Sequence, residues 1–354
     1  MNSDSCLLFD VPINKKIPNT NYTVDCFRMQ PIDCTHYFLT HFHSDHYNGL
    51  TSSFTPKIYC SQTTANLLTK KIRIPVKNIV VLNLYEKYLL DNDDYVIPID
   101  AHHCPGSICL VFDIKGNKIL HTGDFRASKF FYEQDFLTFN FSLVFLDNTY
   151  ESYRNFDPQE YLIKQIIEDI KIRLNPKGLL FPLKYKFVFP TYLIGKEKIF
   201  LSIAEYFDYG IYLNKNKNET IKCFCNSVKD KLNQEVRTIM QFCGKNVGTM
   251  NCFDRITTNI CDNQIMVMSM TFLSQIKLNQ LFKDVKADKI IIYCGTGWKD
   301  KTVFYTWKKS PGREIKKGIE LKYFPYSEHS SNEELLNFKK LMKYKKILNT
   351  VKNK

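Results

Sequence analysis

The sequence has no apolar stretch of 18 or more residues, so it predicts no transmembrane helix. Residues 1 to 12 contain two aspartates and no basic start to an apolar segment, which argues against a secretory signal peptide. No internal repeat or low-complexity linker interrupts the chain. With 354 residues and 44% hydrophobic content, we expect a globular protein of one large domain or two ordinary ones.

Cysteine is present, but it is not arranged as a disulfide scaffold. The 12 cysteines are scattered, Cys223 and Cys225 are the closest pair, and no CxxC pair occurs. This pattern is typical of reduced thiols in an intracellular protein. We therefore expect neither disulfides nor cysteine ligands to zinc.

The sequence has fewer acidic residues (36 Asp and Glu) than basic ones (49 Lys and Arg), which gives a net charge of +13. Such a balance favours a polyanionic partner, most often nucleic acid. The chain is also rich in Lys, Asn, Ile, Tyr and Phe, the residues that an AT-rich coding sequence favours. Charge alone therefore does not separate nucleic-acid binding from compositional bias.

Three histidines and an aspartate lie within six positions, in the segment His41-Phe-His43-Ser-Asp45-His46. The apolar run 37–39 that precedes them is typical of a buried strand. Alternate residues of an extended chain point to the same side, so His41, His43 and Asp45 can converge. Imidazole and carboxylate are the ligands of catalytic zinc sites. The spacing therefore predicts a metal site rather than an isolated surface histidine.

More side chains of the same type follow later strand-like segments. His103 follows the segment 95–101, Asp124 follows the second strand of a hairpin, and Asp147 follows the segment 143–146. With His329, which precedes a helix, the candidate ligands suffice for two metals that share a carboxylate: His41, His43, Asp45, His46, His103, Asp124 and His329. Two-metal sites activate water and stabilise the attacking and leaving oxygens of a phosphodiester.

A second candidate site is the turn Ile194-Gly195-Lys196-Glu197-Lys198, between a strand-like segment and an amphipathic helix. Free backbone N–H groups at a helix start, together with lysines, can bind phosphate. The turn is not a P-loop, and most turns of this kind bind nothing. Both interpretations of this segment, a phosphate-binding site and a turn that binds no ligand, stay open.

Taken together, the motifs resemble those of metallo-β-lactamase-fold nucleases with a β-CASP insertion. The matching motifs are His-x-His-x-Asp-His at 41–46, His-Cys-Pro-Gly at 103–106, Thr-Gly-Asp at 122–124 and Tyr-Ser-Glu-His-Ser-Ser at 326–331. They are most similar to the DNA cross-link repair branch with Artemis and Apollo, and within it to the interstrand cross-link repair 5′-exonuclease. The resemblance extends from about residue 15 to 351, and the combination is specific although no single motif is.

The resemblance implies an α/β fold, an αββα metallo-β-lactamase sandwich with an inserted β-CASP domain. The core would comprise residues 1–155 and 319–354, and the β-CASP domain residues 156–318. DNA would lie in the cleft between them.

The resemblance also implies a role for each matched residue. One metal would be held by His41, His43 and His103, and a second by Asp45, His46 and His329, with Asp124 as the bridge. Asp147 would orient a ligand histidine, and the catalytic set would be Asp45, His46, Asp124, Asp147 and His329. A 5′-phosphate pocket would be lined by Gly195, Lys196, Lys198, Thr296, Gly297, Trp298 and Ser327.

The implied function is a 5′-phosphate-dependent 5′→3′ DNA exonuclease that acts in DNA repair in the nucleus, as a monomer and without a membrane. Its cofactor would be zinc, with Mg or Mn possible at the second site, and its partner single-stranded DNA or a 5′-phosphate end. Val351 falls where DNA-directed members have valine and RNA-processing members have histidine. Pro190, Leu193 and Gly295 depart from the residues usual around the phosphate pocket. The alternatives are an RNA-processing β-CASP endonuclease and a nucleic-acid-binding scaffold without catalysis.

Overall fold

The computed structural model describes residues 11–30, 33–152, 155–175, 183–259, 263–273, 287–297, 313–316 and 318–351. Contacts divide the chain into two units, the first with residues 1–155, 223–225 and 328–354, and the second with residues 156–222 and 226–327. The predicted division placed the return to the first domain at residue 319. In the structure it comes after Ser327, because Ile319–Phe324 forms a strand of the second unit's sheet.

The first unit contains two β-sheets. The smaller has four parallel strands in the order β1-β2-β3-β4: Tyr22–Val24, His36–Phe38, Ile58–Cys60 and Ile79–Val81. The larger has the order β17-β9-β8-β7-β6-β5, and β18 also pairs with β9. Its strands are β5 Tyr88–Leu89, β6 Tyr95–Asp100, β7 Ile108–Ile114, β8 Asn117–His121, β9 Asn140–Leu146, β17 Lys343–Tyr344 and β18 Ile347–Asn349.

Apolar side chains fill the space between the two sheets. Phe38 of the smaller sheet contacts Phe112 of the larger edge to face, with ring centroids 5.0 Å apart. The other face of the larger sheet is covered by Phe125, Phe131 and helix α6 (Asn332–Leu341). Helix α1 (Gln62–Leu67) follows β3 and packs against β4. These layers give the αββα architecture that the sequence predicts.

The second unit has one seven-stranded sheet in the order β12-β11-β13-β10-β14-β16-β15, parallel except for the β15–β16 pair. Its strands are β10 Tyr185–Thr191, β11 Ile211–Leu213, β12 Ile256–Thr257, β13 Ile265–Ser269, β14 Lys289–Gly295, β15 Arg313–Lys316 and β16 Ile319–Phe324. Its helices are α2 Gln159–Leu174, α3 Glu197–Phe207, α4 Lys215–Lys222 and α5 Asn226–Phe242. None of the helices described in either unit is long and apolar enough to cross a membrane.

Candidate metal centre

The segment with the first histidines lies directly after strand β2. The Leu39 N–H donates to the Tyr59 carbonyl (2.9 Å), and the Thr40 carbonyl accepts from the Ile108 N–H (3.0 Å). These bonds hold the chain between the two sheets as it leaves the strand. The His46 N–H then donates to the His43 carbonyl (3.0 Å), and this turn folds the histidines back on one another.

Two more loops, which follow strands of the larger sheet, bring candidate ligands to the same edge of the two sheets. His103 follows β6, and its N–H donates to the Ser107 hydroxyl (3.3 Å). Asp124 follows β8, after Gly123, whose φ is +55°. A Cβ at Gly123 would come 2.8 Å from the Thr40 Cβ, so this approach of the two loops requires glycine.

His329 reaches the site from the far end of the sequence. The Ser330 N–H donates to the Phe125 carbonyl (3.0 Å), and the Ala127 N–H donates to the Ser330 hydroxyl (2.9 Å). Ser331 then caps helix α6 in a capping box with Glu334. The loop with His329 is therefore fixed between the loop after Asp124 and a capped helix.

The carboxylate of Asp124 lies at the centre of the site. Its Oδ2 atom is 3.2 Å from Nε2 of His46 and 3.7 Å from Nε2 of His41. The same oxygen is 3.8 Å from Nε2 of His103 and 3.9 Å from Nε2 of His329. One oxygen of this partly buried carboxylate thus faces four imidazole nitrogens, an arrangement that suits a carboxylate shared by two cations.

A triangle of nitrogens occupies one side of this centre. Nδ1 of His43 is 2.9 Å from Nε2 of His41 and 3.2 Å from Nε2 of His103. Tetrahedral zinc, with zinc–nitrogen distances of about 2.0 Å, places its ligand atoms roughly 3.3 Å apart. The Cys104 sulfur lies within 4.8 Å of these nitrogens. The lack of CxxC pairs in the sequence does not exclude a single thiol next to a ligand histidine, and Cys104 is such a thiol.

Asp25 orients two of the histidines from the side opposite Asp124. Its Oδ2 atom is 2.7 Å from Nδ1 of His46 and accepts the Thr40 hydroxyl proton at 2.7 Å. The Thr40 oxygen lies 3.0 Å from Nδ1 of His41. Because both Nδ1 atoms face acceptors, each ring directs its Nε2 atom toward Asp124.

The other two histidines that face Asp124 are held in the same way. Nδ1 of His329 lies 2.8 Å from Oδ2 of Asp147, and Nδ1 of His103 lies 3.0 Å from the Glu328 carbonyl. Asp147 also accepts from the backbone and hydroxyl of Thr149, at 3.0 and 2.6 Å. The orienting role of Asp147 stays a prediction, and the contact with His329 is the geometry on which it depends.

The electrostatics divide the imidazoles into two kinds. Burial, reinforced by neighbouring imidazoles, lowers the pKa of His41 and His103 well below the usual value, so these rings are neutral and can bind a cation. Burial alone would also lower the pKa of His46 and His329. Asp124 with Asp25 raises the pKa of His46, and Asp147 with Asp124 raises that of His329 to about 9. A cation bound there would displace these protons.

Six of the seven predicted ligands come together in three overlapping groups: His41, His43, His103 with Cys104; His41, His46, Asp124; and His103, Asp124, His329. Asp45 is outside these groups. Its side chain is 80% exposed and lies 3.7 Å from Nε2 of His46, at the solvent side of the site. The donor set and the shared carboxylate indicate that the site binds divalent metal.

The predicted phosphate-pocket residues lie in the second unit, at the carboxyl ends of neighbouring strands. Lys196 is buried, donates to the Gly295 carbonyl (2.7 Å), and has its amine 4.6 Å from the centre of the Tyr192 ring. The Thr296 N–H donates to the Phe324 carbonyl (3.0 Å). Lys196 and the 295–297 loop are thus brought together.

Other residues of the predicted pocket have different partners. Lys198 points to Glu235 of α5, with 3.5 Å between amine and carboxylate. The Gly195 N–H donates to the Glu197 carboxylate (3.0 Å), so the start of α3 already faces a negative charge. The Ser327 carbonyl accepts from the Gln159 side chain (2.8 Å). Gly297 follows Thr296 in the same loop, and Trp298 lies outside the described residues.

Comparisons with known proteins agree with this geometry. Residues 27–162 match the family model described as "Metallo-beta-lactamase superfamily", and residues 252–354 match the one described as "DNA repair metallo-beta-lactamase". The chain therefore contains a metallo-β-lactamase domain and a DNA-repair metallo-β-lactamase domain. The resemblance seen in the sequence and the predicted fold class are thereby confirmed.

Two relatives show how much of the chain is matched. The DNA cross-link repair 1A protein of Mus musculus is 34% identical over 348 residues, which cover 96% of this chain and 31% of the relative. The 5′ exonuclease Apollo of Danio rerio is 33% identical over 229 residues, 59% of this chain and 37% of the relative. The chain therefore spans about a third of the length of these two relatives.

A solved protein of unknown function from Enterococcus faecalis V583 shares the fold at 16% identity. Its TM-score is 0.54, and the match covers 89% of this chain and 74% of that one.

Proposed function

We propose that this protein is a metal-dependent DNA nuclease, and more narrowly a 5′→3′ exonuclease that requires a 5′-phosphate and acts in interstrand cross-link repair. Relatives named for DNA cross-link repair and for 5′ exonuclease activity support this reading. The observation that carries it is the single Asp124 oxygen that faces four imidazole nitrogens at 3.2 to 3.9 Å.

Two divalent cations bound at such a centre would supply the charge that activates water and stabilises the oxygens of a phosphodiester. We propose that His41, His43 and His103 hold zinc, because a compact set of imidazoles suits that ion. His46, Asp45 and His329 would hold the second cation, with Asp124 shared. The exposed Asp45 adds a hard oxygen ligand on that side, and for this reason Mg or Mn is an alternative there.

The chain's own groups would prepare this centre for the reaction. Asp25 and Asp147 fix the orientation of His46 and His329 through contacts of 2.7 and 2.8 Å. The exposure of Asp45 leaves that side of the centre open to a strand from solvent. A phosphodiester would therefore approach from the side of Asp45.

For the 5′-phosphate we propose Lys196 as the main charged contact, with the 295–297 loop and Ser327 nearby. A terminal phosphate carries close to two negative charges, so one such contact contributes about 1.5–3 kcal/mol. The bond between Lys196 and the Gly295 carbonyl supports a common location for the lysine and the loop. Lys198 contributes less in this proposal, because Glu235 already balances its charge.

We also propose that the protein acts on DNA in the nucleus as a monomer. The Val351 N–H donates to the Asn148 side chain (3.0 Å), so this valine lies next to the loop that contains Asp147. That location supports a role for Val351 in the choice of DNA over RNA.

The test compares single strands labelled at the 3′ end that differ only in a 5′-phosphate or a 5′-hydroxyl. We expect the phosphorylated strand to shorten one nucleotide at a time, roughly ten- to a hundredfold faster than the hydroxyl strand. Equal rates with internal cuts would favour an endonuclease. Faster cleavage of a matched RNA strand would favour the RNA-processing alternative.

A further inference from the structure

Asp25, which orients His46, has a left-handed backbone conformation. Its φ is +52°, a value that residues other than glycine rarely adopt. The residue directly follows β1, and its N–H donates to the Phe38 carbonyl of β2 (2.9 Å), which continues the parallel pairing of the two strands. The N–H of Asp25 therefore belongs to the ladder, whereas its carbonyl comes after the left-handed turn of the backbone.

The conformation of Asp25 changes which of its groups bonds to the neighbouring chain. In a parallel ladder, a residue donates its N–H to one residue of the next strand and accepts, through its carbonyl, from the N–H two residues further along that strand. By this pattern the Thr40 N–H would donate to the Asp25 carbonyl. It donates instead to Oδ1 of the Asp25 side chain, at 2.9 Å. The carboxylate thus takes the place of the backbone carbonyl and is held next to His46.

Lys15 provides a donor for the carbonyl of Asp25. The Lys15 amine donates to this carbonyl at 2.5 Å, although the two residues are 10 positions apart. Asp25 is 5% exposed, and a buried carbonyl that lacks a donor carries a free-energy penalty. The contact with Lys15 therefore stabilises the backbone conformation that places the carboxylate, rather than the carbonyl, next to Thr40.

The turn that contains Lys15 is itself fixed to the first unit. It is the 3₁₀ turn Ile13–Lys15, and the Asn14 side chain donates to the Thr350 carbonyl (2.7 Å). The Gly123 N–H donates to Nδ1 of His121 (3.1 Å), so the ring proton lies on Nε2. This Nε2 atom donates to the Asn14 carbonyl (3.3 Å). The turn is thus connected to the chain that leads from β8 into the metal centre.

A local stabilising role is the simpler account of a lysine in such a turn. Lys16, the next residue, fits that account, because its side chain is 41% exposed and its ion pair with Asp33 is long, at 3.9 Å. Lys15 differs, since its partner is the backbone of the residue that orients His46. Two adjacent lysines of equal charge therefore differ in their connection to the metal centre.

We propose that Lys15 is a positioning residue of the metal centre. Through the Asp25 carbonyl it holds the carboxylate that orients His46, and it thereby raises the affinity for the cation that His46 would bind. This inference rests on the proposed function, because it takes His46 as a metal ligand. The effect should be largest at that cation, since Asp25 contacts His46 directly but reaches His41 only through the Thr40 hydroxyl.

The test measures the affinity of the metal-free protein for Zn²⁺ by competition with a chromophoric chelator. Lys15→Met removes the donor and keeps a long side chain. We expect the weaker of the two Zn²⁺ dissociation constants to rise about tenfold, as for other contacts that orient a ligand. Lys15→Arg keeps a donor and should recover at least part of this affinity. The matched control, Lys16→Met, removes the same charge one residue away and should bind Zn²⁺ like wild type.

A second comparison separates positioning from folding stability. In an Asp25→Ala background the carboxylate is absent, so adding Lys15→Met should not weaken Zn²⁺ binding further. A role in stability alone would instead lower the melting temperature of the metal-free protein and leave its Zn²⁺ affinity unchanged. If Lys15→Met does not fold, Lys15→Gln, which keeps a shorter donor, gives the same comparison with a smaller expected loss.

Unchanged Zn²⁺ affinity in the folded Lys15 variants would overturn the inference. An equal loss in Lys16→Met would also overturn it, and so would a further tenfold loss in the Asp25→Ala background. If wild type binds divalent metal and cleaves DNA in these cases, the proposed function stands. If wild type binds no divalent metal, both proposals fail together.

Discussion

The carboxylate of Asp25 lies 2.7 Å from Nδ1 of His46, although 21 positions separate the two residues. The same carboxylate accepts the N–H and the hydroxyl of Thr40, at 2.9 and 2.7 Å. Burial works to raise the pKa of Asp25, but the charge and hydrogen bond of His46 hold it below the usual value. Asp25 is therefore ionised and joins two strand ends of the smaller sheet at the back of the metal centre.

Asp25→Asn should weaken metal binding by about 10- to 100-fold, because the amide cannot hold His46 and Thr40 as the carboxylate does. Metal content after dialysis and nuclease rate would both fall, while the circular dichroism spectrum is retained. The control is Asp33→Asn, since Asp33 is exposed and its ion pair with Lys16 is long, at 3.9 Å. An Asp25→Asn protein with wild-type metal content would remove Asp25 from this role.

The convergence of six candidate ligands could be predicted from the sequence, because each of them lies in a recognisable motif next to a strand end. Asp25 could not be found in this way, since it is one aspartate after a three-residue strand and has no motif around it. Its relation to His46 depends on the parallel pairing of β1 with β2, which aligns their carboxyl ends. The position of Asp25 after β1, next to the strand that leads to His41, is the one signal available.

The arrangement of the residues proposed for the phosphate pocket was less predictable, because turn chemistry does not specify where each side chain points. Lys196 and Lys198 are two residues apart in one turn, yet one amine meets the Gly295 carbonyl and the other meets Glu235. This difference depends on how α3 packs against α5, which no local pattern contains. The role of Glu197 at the start of α3 also depends on Lys217, which pairs with it at 2.7 Å.

Asp45→Ala should abolish cleavage and leave the fold intact. The side chain is 80% exposed, so its removal costs the core nothing, but it takes a ligand from the second cation next to His46. The melting temperature of the metal-free protein should be unchanged, and the nuclease rate should fall at least a hundredfold, since the loss of a ligand costs more than the loss of an outer contact. Near-normal turnover by the folded variant would show that Asp45 is not a ligand.

Lys196→Met and Lys198→Met remove the same charge and form a matched pair. Lys196→Met should reduce the preference for a 5′-phosphate over a 5′-hydroxyl roughly ten- to a hundredfold. Lys198→Met should change it little, because Glu235 already neutralises that amine. The ratio of the two rates is the readout, since it does not depend on the fraction of folded enzyme. Equal effects of the two variants would contradict the assignment of Lys196.

Acid should destabilise the second unit through Asp169. This carboxylate accepts from Lys322 (2.7 Å) and Arg173 (2.9 Å). Burial works to raise its pKa, but hydrogen bonds from Lys322 and Tyr293 and the charge of Arg173 hold it below the usual value. A lowered pKa contributes stability that is present above the unfolded pKa of about 3.9 and is lost as the pH falls through the folded pKa.

Asp169→Asn should therefore lower the free energy of unfolding by about 3 kcal/mol at pH 7, and the difference from wild type should shrink below about pH 4. Unfolding by urea at several pH values measures this difference. Glu168→Gln is the control on the same helix, and its exposed pair with Lys171 should contribute less than about 1 kcal/mol. A difference that stays constant down to pH 3 would exclude this role of Asp169.

The most direct test of the proposed metal-dependent nuclease activity compares wild type with Asp124→Asn. For each protein, the metal content is measured by mass spectrometry and the cleavage rate is measured on a 5′-phosphorylated strand. Asp124 faces all four inward nitrogens, so its loss should affect both cation positions at once. We predict bound divalent metal and cleavage in wild type, loss of both after chelation with recovery on adding zinc, and neither metal retention nor cleavage in a folded Asp124→Asn protein. Cleavage by wild type that persists after its metal has been removed, or by a metal-free Asp124→Asn protein, would contradict the account.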